Sequence, residues 1–174
     1  MTSIIKVNEI QDAGGNTILS SNGTGTFTSN LPSADNTPNF EVQQTTGQNI
    51  NNTSFTKLTW NIENWDTDSA FASDKFTVPS GQAGKYYFQA TTELTAIPDS
   101  TFAQLMVYKN GSATGSGTSR WYGAGGGVGV RVRVNVILNL SVSDYIEIYI
   151  YHNKGSSQSA STSETFFRGY KLIE

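Results

Sequence analysis

The sequence predicts an all-β fold, a sandwich or a barrel, and three observations predict it. Segments rich in Val, Ile, Tyr, Phe and Thr recur through residues 39–174, closed by turn formers such as Pro79-Ser80-Gly81, Pro98-Asp99 and Asn110-Gly111. No window of about a dozen residues keeps the apolar period of about 3.6 that a helix needs. The longest run, Val128 to Leu140, alternates: Val128, Val130, Val132, Val134, Val136, Leu138 and Leu140 share one face of a strand, with Gly129, Arg131, Arg133, Asn135, Ile137 and Asn139 on the other.

Taken in chain order, the first 38 residues stand apart. Two short β-prone runs, Ile4 to Ile10 and Thr17 to Ser20, flank Asp12-Ala13-Gly14-Gly15-Asn16, and Pro32 and Pro38 close the segment. So few apolar residues do not sustain a core, so the segment reads as an extended arm that must pair with something else. A boundary at Pro38 separates it from the body, residues 39–174. There the strands are Phe40 to Thr45, Phe55 to Trp60, Lys75 to Val78, Lys85 to Leu94, Phe102 to Tyr108, Val128 to Leu140, Tyr145 to His152 and Thr165 to Ile173. No period of repetition points to a solenoid or propeller.

Composition narrows function by exclusion. Charged residues make up only 14% and the net charge is -3, so the clustered Lys and Arg of a nucleic-acid partner are absent. Without cysteine there is neither a disulfide framework nor a thiolate metal site. The opening MTSIIKVNEI does not read as a secretory signal, and no stretch has the roughly 20 apolar residues of a membrane-inserted span. A weakly charged surface rich in Gly, Ser, Thr and Asn suits a particle-borne exterior protein, which is expected on a virion.

The motifs that carry chemistry elsewhere fail on spacing. Residues 123–129 hold five glycines in seven positions, but Gly123 and Gly125 would need a third glycine where Val128 stands. Gly125 and Gly127 would need one where Val130 stands, no Walker lysine follows, and the run enters a strand rather than a helix. The expectation is a supple loop or bulge. His152, the only histidine, is expected to be solvated at a strand end, and no Gly-x-Ser-x-Gly elbow exists, so no catalytic residues are assigned. Asp66, Asp68 and Asp74 are the candidates for calcium, the one cofactor the residues suggest, against the ordinary reading of turn aspartates that bond their own backbone. Tyr86, Tyr87, Phe88, Tyr145, Tyr149 and Tyr151 read as core or subunit contacts, which leaves Trp121 and Tyr122, beside the glycine loop, as the ligand-facing aromatics.

The stretch from Asn64 to Ala90 resembles the signature of the complement C1q and tumour-necrosis-factor-like jelly rolls. Asn64 stands 12 residues before Phe76, and Pro79, Gly84, Tyr86 and Phe88 follow in the family's order. Ser143-Asp144-Tyr145-Ile146 is similar to the turn before the family's penultimate strand, and Phe166-Phe167-Arg168-Gly169-Tyr170 to its closing motif. Leu58 and Ser69 depart from it. The resemblance covers residues 40–174 and implies an antiparallel two-sheet jelly roll assembled as a homotrimer. The expected interface residues are Arg131, Arg133, Tyr86, Phe88 and Tyr170, drawn from strands expected to face the partners.

A second resemblance lies in the arm. Ile5-Lys6-Val7-Asn8-Glu9-Ile10-Gln11-Asp12-Ala13-Gly14-Gly15-Asn16 resembles the opening of small fibre-like virion structural proteins of tailed phages, marine and cyanobacterial ones especially. It implies a non-enzymatic fibre, spike or capsid decoration protein on the outside of a virion. Its arm would dock on other virion proteins, of capsid or tail, through Ile4, Ile5, Val7 and Ile10, by strand pairing. The head would either brace the particle or make weak contacts to host surface glycans. Two other classes compete: a secreted or cell-surface complement-like recognition module, and a glycan-processing enzyme of the tail-spike kind.

Overall fold

In the computed structural model of the chain, residues 7–29, 36–123, 125, 129–162 and 164–173 are described. The chain divides into two compact units, Met1–Asp35 and Asn36–Glu174. Residues 36–38 go with the second unit because the Pro38 carbonyl accepts a hydrogen bond from Lys171 N at 3.0 Å.

The first unit holds β1 (Glu9–Gln11), β2 (Thr17–Ser21) and β3 (Phe27–Ser29), an antiparallel sheet in that order. Both of its turns are made by a side chain acting as an extra backbone acceptor. Asp12 Oδ1 takes Gly14 N and Asn16 N at 2.8 and 2.9 Å, with Gly15 at φ 81°. Asn22 Oδ1 takes Thr24 N and Thr26 N at 2.9 and 3.2 Å. The segment predicted to be an extended arm is thus a small meander. Val7, Ile10 and Phe27 remain exposed on it, so the sheet has almost no core of its own.

The second unit is all-β. Its strands are β4 (Asn39–Gln44), β5 (Asn49–Ile50), β6 (Thr56–Lys57), β7 (Ile62–Asp66), β8 (Phe71–Ala72), β9 (Lys75–Thr77), β10 (Gly84–Leu94), β11 (Phe102–Lys109), β12 (Ser112–Tyr122), β13 (Val130–Leu140), β14 (Tyr145–His152), β15 (Gln158–Ser159) and β16 (Thr165–Lys171). One sheet runs β13-β10-β16-β4-β7, the other β12-β11-β14-β9-β8 with β6 also on β14, and every strand pairing is antiparallel. On one flank the terminal strands β12 and β13 run beside each other. On the other flank, at β7 and β8, a cleft of about 370 Å³ reaches Val42, Trp60 and Phe71.

Period-2 patterning builds the core between the sheets. On β13, Val130, Val132, Val134, Val136 and Leu140 are buried and Arg131, Arg133, Asn135 and Ile137 face out, as the alternation predicts. Val128 lies outside the described residues. Ile146, Ile148 and Ile150 of β14 join the same core, and Phe40 gathers Phe71, Phe76 and Phe167 at 5.2, 5.0 and 4.9 Å between ring centroids. Burying each such side chain contributes about 1.5–3 kcal/mol in transfer terms.

Of the strands that the sequence analysis leaves out, β12 and β7 are the two longest. β12, written SATGSGTSRWY, has only Gly117 buried and so lacks an apolar face to read. It forms because Asn110 and Gly111, at φ 53° and 77°, make the tight turn that twists a hairpin correctly back onto β11. β7 is similarly exposed, and forms by pairing with β4. In the glycine run, Gly123 is dictated by space: a Cβ there would sit 2.1 Å from the Ile97 carbonyl oxygen. Residues 124 and 126–128 of that loop lie outside the described residues.

Candidate functional site

The solvent side of the five-stranded sheet carries large apolar side chains. Register places Tyr87 of β10 between Ile137 of β13 and Tyr170 of β16. The Tyr87 and Tyr170 rings are 5.4 Å apart, and Ile137 is 57% exposed. Further along, Trp65 and Tyr170 line a shallow cleft of about 260 Å³ with Asn39, Phe40 and Arg168. Side chains of this size in the middle of a sheet face form an apolar patch that solvent alone does not favour.

Charged groups frame that patch. Arg131 is clasped by Glu93 at 3.1 Å and by Glu164. Arg168 donates to Gln89 Oε1 from Nε and Nη2 at 2.9 and 2.5 Å and pairs with Glu41 at 3.4 Å, while its guanidinium lies 4.6 Å from the centre of the Phe166 ring. Arg133, opposite Thr91, has no carboxylate within ion-pair distance among the described residues.

Of the expected interface residues, Arg131, Arg133 and Tyr170 lie on this face, and Tyr86 and Phe88 do not. Both are fully buried, at 0% exposure, inside the sandwich. Tyr86 donates to the Gln82 carbonyl at 2.5 Å, and burial, with the Asp68 carboxylate adding, pushes its phenol up to about 12. A strand turns alternate side chains to opposite sides, so the residue for this face is Tyr87, and Ile137 is its neighbour.

The other candidates separate in space. Asp66 accepts from Ala70 N and Phe71 N at 3.0 and 2.8 Å, Asp68 from the Thr67 hydroxyl at 2.8 Å, and Asp74 from Trp60 N at 2.8 Å. These three carboxylates are tied into separate local bonds. Among the described residues no three His, Cys, Asp or Glu side chains converge as a metal site. His152 is not solvated but 0% exposed, with Nε2 3.0 Å from the Ile50 carbonyl and Nδ1 3.4 Å from Lys154 N. Trp121 and Tyr122 are both 59% exposed, at the end of edge strand β12 rather than in a loop. As neighbours on a strand they point to opposite sides, Trp121 opposite Ala103 and Tyr122 opposite Phe102. In the first unit, Val7 and Ile10 line a groove with Leu19 and Phe27, and Ile4 and Ile5 lie outside the described residues.

Solved structures of the same architecture exist. The globular domain of zebrafish complement 1qA protein superposes with a TM-score of 0.59 at 18% identity, covering 79% of this chain and 98% of that one. Eiger TNF from S. frugiperda gives 0.58 at 10% identity, covering 78% and 92%. Murine APRIL gives 0.57 at 14%, covering 77% and 98%. The fold is a C1q/TNF-like jelly roll. No protein-family model matches the chain, and no curated protein matches it.

Within this jelly roll the residues of the sequence signature have physical tasks. Asn64 Nδ2 donates to Glu41 at 2.7 Å, tying β7 to β4. Gly84 takes a φ of 147° at the entry to β10. Gly169 has no room for a side chain, since a Cβ would meet the Phe88 ring at 2.5 Å and the Tyr87 carbonyl at 2.9 Å. Asp144, in the turn before β14, accepts from Lys109 and Asn110 at 2.7 Å each and from Ser141 N at 2.7 Å, and its carboxyl is held down at about 2 by these bonds, Lys109 first.

Proposed function

We propose that the protein is a non-enzymatic structural component on the exterior of a tailed-phage virion, a short trimeric fibre, spike or capsid decoration. The apolar patch Tyr87-Ile137-Tyr170 carries the oligomeric part of this reading. It lies on the outside of one chain, flanked by arginines, which is the composition of a subunit interface core. A jelly roll without disulfides gains stability by covering such a face with further copies of itself. The virion part rests on the opening residues and on the meander they form. That sheet leaves Val7, Ile10 and Phe27 uncovered, and among the described residues β1 is an edge strand with an unpaired side, the form that strand addition needs. The head then faces outward, bracing the particle or touching host surface glycans in weak contacts multiplied by copy number.

Two measurements test this. Light scattering at micromolar concentration should give three times the 18.8 kDa of one chain, and the mass of a single chain would refute the trimer. Protein lacking residues 1–35 should keep a folded head but fail to join particles in a reconstitution assay. If it joins as the full chain does, the meander is not the anchor.

A further inference from the structure

Neither the interface nor the meander accounts for the solvent side of the six-stranded sheet. On β14 the isoleucines at 146, 148 and 150 fill the core, so Tyr149 and Tyr151 point outward. Pairing in register sets Tyr151 against Gln104 of β11 and Phe102 against Tyr122 of β12, and Phe55 folds over from the segment before β6. Four rings from four separate parts of the sequence thereby form one row. Phe55 to Tyr151 is 4.8 Å, Tyr151 to Phe102 is 5.5 Å and Phe102 to Tyr122 is 5.6 Å. Phe55 and Tyr122, at its two ends, are 53% and 59% exposed.

One cation is fixed over this row. The Arg120 guanidinium lies 4.3 Å from the centre of the Phe102 ring and donates twice to Gln104 Oε1, at 3.1 and 2.8 Å. Gln104 is neutral, and Arg120 has no carboxylate within ion-pair distance among the described residues. On the same sheet Lys57 and Lys109 are neutralised by Glu147 and Asp144. The row therefore offers flat apolar faces, phenol hydroxyls and a preset positive charge without a counter-ion.

We propose that the row Phe55-Tyr151-Phe102-Tyr122, with Arg120, binds an acidic polysaccharide. Sugar rings turn C–H faces that stack on aromatic rings and hydroxyls that bond at their edges, and a uronate or sialate carboxylate would bond the N–H groups of Arg120 that Gln104 does not engage. An extended peptide added by strand pairing is disfavoured, because the backbone ladders of β11 and β14 are already occupied on both sides. A nucleic acid carries a phosphate on every unit and asks for a line of cations, where this row has one. The inference deepens the glycan contact proposed above. It is tested on purified protein without particles, so it can fail while the attachment result stands.

The test is calorimetric titration with polygalacturonate and polysialate oligomers, beside neutral cello-oligosaccharide and oligothymidylate. At least one acidic glycan should bind, more weakly as salt is raised, and more tightly than the neutral sugar or the oligonucleotide. Arg120→Gln and Tyr122→Ala should each weaken it about tenfold, consistent with losing one charged bond or one stacked ring. Val142→Ala, in the β13–β14 turn, should leave binding unchanged, and all three variants should keep the thermal midpoint. No binding of either acidic glycan, tighter binding of oligothymidylate, or affinity indifferent to both substitutions in the row would each overturn the proposal.

Discussion

Tyr87 and Tyr170 face each other across β10 and β16 with ring centroids 5.4 Å apart, on the opposite side of the sheet from Tyr86 and Phe88 in the core. Adjacent tyrosines therefore have different fates on substitution. Tyr87→Lys should leave far-ultraviolet dichroism intact and reduce the mass in light scattering from the assembly to a single chain. Tyr86→Ala empties a fully buried site and should cost about 3–5 kcal/mol in chemical denaturation. A folded Tyr87→Lys variant that still assembles would show that this face is not the interface.

Acid should remove a specific part of the stability. The Asp144 carboxyl is held at about 2, below its ordinary 3.8, so its contribution is fully present above about pH 4 and fades as pH falls towards 2. The denaturation midpoints of wild type and Asp144→Asn should differ at neutral pH and converge over that window. A gap that persists unchanged at pH 2 would contradict this account.

Gly169 and Gly115 make a matched pair. Gly169→Ala drives a methyl into the Phe88 ring and the Tyr87 carbonyl, and should destabilise by about 1–3 kcal/mol. Gly115, on solvated strand β12, has open space around it. Alanine there should be neutral or stabilising by up to about 1 kcal/mol. Urea midpoints of the two variants decide the point.

Arg131 and Arg133, two residues apart on β13, should also differ. Arg131→Gln leaves Glu93 and Glu164 without their shared cation and should cost about 0.2–1 kcal/mol at low salt, less at high salt. Arg133→Gln removes no ion pair among the described residues and should not change the stability of a single chain. An effect of Arg133→Gln on assembly alone would place it at the subunit contact.

Alternation made β13 legible in the sequence, because valine and arginine cannot exchange faces. β10 carries Tyr86, Tyr87 and Phe88 in succession, so apolar character does not reveal its parity. The polar residues do: Lys85, Gln89 and Glu93 share the parity of Tyr87, while Ala90 and Leu94 share that of Tyr86. The same rule, applied to Ile146, Ile148 and Ile150, sends Tyr149 and Tyr151 outward. Less accessible was the aromatic row, since Phe55, Phe102, Tyr122 and Tyr151 meet only through long-range register. β12 escaped notice because an edge strand that buries only Gly117 shows no apolar alternation, and its existence is owed to the turn before it.

The two sheets close along β12 and β13 and part along β7 and β8, and this asymmetry bears on how separate copies of the molecule stay apart. β8 is two residues long, too short to template another chain, but β7 presents five residues with Ile62 and Trp65 exposed. Glu63 is then the gatekeeper of that rim, an exposed charge that makes stacking of one β7 on another unfavourable. Aggregation in destabilised variants should begin there, and Glu63→Thr should hasten it without changing the folded structure.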